Sequence, residues 1–129
     1  MDKVLIEMQK RCKATCVVIL QEDVKDIKDS YNVKVDESDS NMLLGELNRE
    51  NLENNLEPLA KQNNMAYLVI EDIDKIDEKK QEKYIEIVKD REFRGYKIPE
   101  NVIIIFTVQN KENIQKIAPK LYHFCTVAI

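Results

Sequence analysis

Apolar residues in this chain gather into short runs separated by long polar stretches. The runs at 16–20, 65–70 and 102–106 are continuous and rich in Val and Ile, the mark of strands covered on both faces. Val33 and Val35 alternate with Lys34 and Asp36, which predicts a half-buried strand over 32–35, and 125–129 closes the chain as a fifth. Between the runs the spacing changes to three and four. Leu5, Met8 and Cys12 predict a helix over 2–13, and Val24, Ile27 and Tyr31 at most a short one over 21–31. The acid- and serine-rich loop 36–40 supplies caps for a helix holding Met42, Leu43, Leu44 and Leu47. Leu52, Leu56 and Leu59 line another helix, within which Pro58 starts a new segment. Tyr84, Ile85 and Val88 face inward from a charged helix over 77–91; Gly95 and Pro99 punctuate a loop; a helix over 111–118 stops at Pro119. Strands alternating with helices predict an α/β domain, a three-layer sandwich around a mostly parallel five-stranded sheet.

At 129 residues the chain is expected to form one domain, 1–129, and its 43% apolar content suffices for a core. The net charge of −4, evenly mixed along the chain, lacks the clustered positive face that phosphate backbones require, so no nucleic-acid partner is expected. Gly45 and Gly95 are the only glycines, which excludes glycine-rich phosphate loops of either common pattern. His123 is the only histidine, so a His-based zinc site is not expected. Cys12, Cys16 and Cys125 form an odd set without C-x-x-C. With no signal peptide in view, reduced thiols and a cytoplasmic location are expected. No apolar run approaches the ~20 residues of a membrane span.

Ligands of open α/β sheets bind beyond the carboxyl ends of the strands. Glu71, Asp72 and Asp74 fall at such an end, as do Gln21, Glu22 and Asp23 after the first strand and Thr107, Gln109 and Asn110 after the third apolar run. Carboxylates there suit Mg²⁺, although acids at a strand-to-helix junction ordinarily cap the next helix, and periodicity alone favours that reading. His123 and Cys125 read as core or rim residues, and Arg91 and Arg94 as a solvated helix end.

These segments, taken in order, resemble the core domain of AAA+ ATPases, a P-loop NTPase-like fold, closest to the MoxR and dynein-related branch. Leu43-Leu44-Gly45-Glu46-Leu47 is similar to the family's segment after the second strand, and Glu57-Pro58-Leu59-Ala60 to its GPL-x-x-A, with Glu57 for glycine. Tyr67-Leu68-Val69-Ile70-Glu71-Asp72-Ile73-Asp74-Lys75 resembles the Walker B run. Thr107 to Asn110 lies where the family approaches sensor 1, Asn110 matching the sensor asparagine. The resemblance implies a sheet in which the strands, numbered along the chain, stand in the order fifth, first, fourth, third, second. A competing resemblance, to response-regulator receiver domains, implies second, first, third, fourth, fifth.

Departures from the family pattern bear on function. Only the eleven residues 21–31 separate the first two strands, whereas a phosphate loop with its helix needs about 20. Glu71 stands where the family has Asp, and Asp72 where it has the catalytic Glu. A shorter base misplaces the attacking water, and about 1 Å of misplacement can cost 10²-fold. His123 falls at the arginine-finger position and carries no permanent planar charge. No counterpart of the family's helical lid is expected within residues 1–129. The expectation is a non-hydrolysing, MoxR-like pseudo-ATPase module without cofactor, acting through protein contacts with an AAA+ ATPase ring or in assembling a larger complex. The alternatives are a weak nucleotide and Mg²⁺ binder using Glu71, Asp72 and Asn110, or a receiver-like phosphoacceptor.

Overall fold

The computed structural model describes residues 16–35 and 47–127. The helix expected over 2–13 lies outside the described residues, as do Met42, Leu43 and Leu44 of the helix expected to hold Leu47; Leu47 itself is buried but not helical. Five parallel strands make the main sheet: β1 (Cys16–Leu20), β2 (Ser30–Lys34), β3 (Ala66–Glu71), β6 (Val102–Val108) and β7 (Cys125–Val127). Their order is β2-β3-β6-β1-β7, so β6 is central and β2 and β7 are edges. Counted along the chain this is second, third, fourth, first, fifth, the AAA+-like order. The first and third strands are separated by the fourth, and the receiver-like alternative is thereby overturned.

Parallel pairing buries both faces, and the alternation within each apolar run now has an address. Cys16, Val18, Leu68, Ile70, Ile104 and Phe106 face the larger core, whereas Val17, Ile19, Tyr67, Val69, Ile103 and Ile105 face the smaller one. All seven residues of β6 are buried.

Two helical stretches cover the larger face. In α1, residues 49–62, Arg49–Asn51 leads into a wider π turn at Leu52–Leu56 and then Glu57–Gln62, with Pro58 in its first turn as expected. Leu52 and Leu56 are fully buried, and losing either side chain to Ala removes about 2–5 kcal/mol. In α2, residues 78–90, Asp77 caps the first turn by accepting the Lys80 N–H at 2.9 Å. Tyr84 then meets Phe106 edge-on at 6.1 Å between centroids. Gln81 is fully buried in α2 and satisfied three times. Its amide nitrogen donates to Ile76 O (3.0 Å) and Lys116 O (2.8 Å), and its oxygen accepts the Ala118 N–H (2.5 Å).

Two expectations are corrected. The 92–101 loop contains a small antiparallel hairpin, β4 (Glu92–Phe93) and β5 (Tyr96–Lys97), turned by Arg94 and Gly95, both at positive φ. Arg91 locks its base, its Nη2 donating to Pro99 O and Val102 O, both at 2.8 Å. The segment expected as a helix over 111–118 is a 3-10 turn at Lys111–Lys116, and Pro119 starts α3 (Pro119–Tyr122) rather than stopping a helix. Proline lacks the N–H that a first helical turn leaves unpaired anyway, so a start suits it as well as a stop.

Candidate functional site

The carboxyl ends of the three adjacent strands β3, β6 and β1 carry a connected polar cluster. Glu71 is the last residue of β3, Thr107 sits in β6, and Gln21 opens the 3-10 turn Gln21–Asp26 that follows β1. Gln21 spans the row: its Nε2 donates to Glu71 Oε1 at 2.5 Å, and its Oε1 accepts from the Thr107 hydroxyl. Thr107 Oγ1 in turn accepts the Asp72 N–H at 2.9 Å. Asp72 is buried and leaves the strand with left-handed backbone (φ 68, ψ 40), which turns the chain away from β3 directly after this bond.

The acid side chains are held from several directions. Asp72 accepts from the Gln109 side-chain amide and pairs with Lys75 Nζ at 3.4 Å. Asp74 Oδ2 accepts the Gln109 N–H at 2.9 Å and the Asn113 side-chain amide at 2.8 Å, while its Oδ1 is buried without a partner among the described residues. Asp74 thereby ties the segment leaving β6 to the turn after β3, and Asp72 makes no side-chain cap on the turn Ile73–Lys75 that follows it, so the helix-capping role that periodicity favours for these acids is corrected.

Of the three residues singled out from the sequence, Glu71 and Asp72 join this cluster. Asn110 is exposed, and its side chain caps Lys111–Lys116 by accepting the Asn113 N–H at 3.0 Å. The residues that reach the acids are Gln21, Thr107 and Gln109. One signal for Thr107 was available, since it is the only polar residue in an otherwise apolar strand. His123 lies just before β7, next to the start of β1 and so at the opposite end of the sheet, stacked edge-on against Phe124 at 5.1 Å.

The arrangement differs from the cradle that a P-loop site offers a nucleoside triphosphate with Mg²⁺. A phosphate loop offers a row of backbone N–H groups and a long helix N-terminus. Here six residues of 3-10 turn follow β1, with Glu22 and Asp23 in the first turn, and Gln21 already occupies Glu71. Among the described residues no group of three or more His, Cys, Asp or Glu is placed to hold a metal ion, and no helix is long and apolar enough to cross a membrane.

Neither the scan of family models nor the comparison with curated proteins found a match. Among solved structures, the chain is similar to a DNA polymerase III, gamma subunit-related protein from Thermotoga maritima, with TM-score 0.51 and 10% identity. The alignment covers 98% of this chain and 46% of that one, so the chain spans less than half the length of that protein. At such identity the likeness speaks for fold alone. Together with the strand order, it shows an α/β domain with an AAA+-like fold.

Proposed function

We propose that the chain is a non-hydrolysing AAA+-like module, of the MoxR-like kind, that acts through contact with another protein. An active AAA+ ATPase ring or a larger complex under assembly is the partner class. The observation that carries this reading is the bridge from Gln21 to Glu71 and Thr107. It joins three strand ends at the side of the sheet where open α/β folds bind ligands, and it gives Glu71 an internal hydrogen-bond partner. So read, the AAA+-like strand order is kept for contact with a partner, and the short polar turn after β1 stands in place of a nucleotide cradle. In this reading the module works in the cytoplasm without nucleotide, metal, nucleic acid or membrane.

Thermal unfolding with millimolar MgATP tests it. A binder present with ligand at a hundredfold excess over Kd gains about 2.7 kcal/mol. The expected result is no shift and no phosphate release by the isolated chain, together with altered turnover of a purified AAA+ ATPase encoded beside it. A clear MgATP shift that disappears in Glu71→Ala would overturn the reading in favour of weak nucleotide and Mg²⁺ binding, with Glu71, Asp72 and Asn110 as the contacts.

A further inference from the structure

Cys16 and Cys125 are direct register partners at the start of the contact between β1 and the edge strand β7. Their side chains share one face, because Cys16 belongs to the larger core and Cys125 packs against that core. Cys125 Sγ donates to Leu121 O at 3.3 Å, and burial together with the neighbouring Cys125 raises the Cys16 thiol pKa. Paired strands stand about 4.8 Å apart, inside the roughly 4.4–6.8 Å Cα window of a disulfide. The two sulfurs differ in access: Cys16 is fully buried and Cys125 is half-buried.

We propose that Cys16 and Cys125 form an oxidisable pair, which hydrogen peroxide converts to a reversible disulfide that staples β7 to β1. The Cys125 thiolate attacks a peroxide oxygen; an S–O bond forms, the O–O bond breaks, and hydroxide leaves with the electron pair. The Cys16 sulfur then attacks Cys125 sulfur. The S–S bond forms, the S–O bond breaks, and the departing hydroxide takes the Cys16 proton to leave as water. In total two thiols give up two electrons and two protons, and the peroxide becomes two waters. Burial pushes the Cys16 thiol up, so it does not compete for peroxide, and this fixes the order of the steps. The strand β7 accommodates the tightening because it is three residues long and pairs on one side only. A dithiol reductant restores the pair.

The test treats the native full chain with hydrogen peroxide, alkylates remaining thiols in denaturant, and digests with trypsin without reductant. Cleavage after Lys13, Lys25 and Lys120 separates Cys12 from Cys16 and releases residues 14–25 and 121–129. The expected product is these two peptides linked, about 2 Da lighter than their sum and separated by dithiothreitol. The oxidised protein should melt several degrees higher than the reduced one, and Cys125→Ser should lose that gain. Linkage through Cys12, linkage only after urea unfolding, or a Cys125 sulfinic acid beside an alkylated Cys16 would each overturn the proposal.

Discussion

Replacing Thr107 with valine keeps shape and exchanges a hydroxyl for a methyl at a fully buried position. The hydroxyl accepts the Asp72 N–H at 2.9 Å, and an amide left unpaired in such a place costs about 1–3 kcal/mol. The other half of the bridge matters less, because the Gln21 side chain is half-buried and turns to water. The added methyl returns roughly 0.8 kcal/mol of burial. The balance is a loss of about 1.2 kcal/mol, equivalent to a Tm lower by about 4–5 °C in a chain of this length. Asp72 amplifies the local effect, since its left-handed backbone is disfavoured by about 1–2 kcal/mol and the same bond restrains it. Urea unfolding followed by circular dichroism measures the global term, and hydrogen exchange at the Asp72 amide measures the local one. Thr107→Ser, which retains the acceptor, should keep that amide protected. A valine variant of unchanged stability and m-value, with the Asp72 amide still slow to exchange, would refute the assignment of this bond.

Two further substitutions probe groups away from the bridge. Gln81→Met preserves volume but leaves Ile76 O, Lys116 O and the Ala118 N–H without their partner; urea unfolding should show a loss of about 3 kcal/mol. Tyr96 has a buried hydroxyl without a partner among the described residues, so Tyr96→Phe should be neutral or gain up to about 1 kcal/mol at pH 7. Burial, with Glu57 and Glu53 nearby, raises the Tyr96 pKa, and burial with Asp29 raises that of Tyr67. Both phenols are therefore easier to ionise unfolded. Their contribution is complete below about pH 10 and is lost as pH rises through the folded pKa, so stability should fall in alkali and fall less in Tyr96→Phe.

The buried strands were legible because each has to satisfy two apolar faces at once, which leaves a run with no polar alternation. Cys16 to Leu20 and the start of β6 carry that signature openly. The hairpin did not, since strands of two residues are too short for any period, and only Gly95 marked its turn. At the site, the acids and the polar residues Gln21, Thr107 and Gln109 were all visible at strand ends, but which of them meet was not. The strand β6 continues through Thr107 and Val108, two residues beyond the apolar run, and that extension puts Thr107 and Gln109 against Asp72. Asn110 then falls beyond the acids and caps the next turn. Which of the three neighbouring polar residues Thr107, Gln109 and Asn110 meets an acid depends on where a strand ends, and hydrophobic pattern is weakest at ends.

The position of β1 has a consequence for how the chain is made. It is the first of the five strands to leave the ribosome, yet its only partners are β6 and β7; Cys16 meets Ile104 almost ninety residues later. At roughly 5–20 residues per second, synthesis leaves Val17, Val18 and Ile19 without a neighbour for about 5–20 seconds. During that interval β2 and β3 can pair with each other, but their sheet lacks its central strand. Folding is consequently a late event that waits for β6, which then collects β3 on one side and β1 on the other. Such long-range parallel closure is slow, and a nascent chain halted before residue 102 exposes an adhesive apolar strand to whatever chaperone or neighbour is at hand.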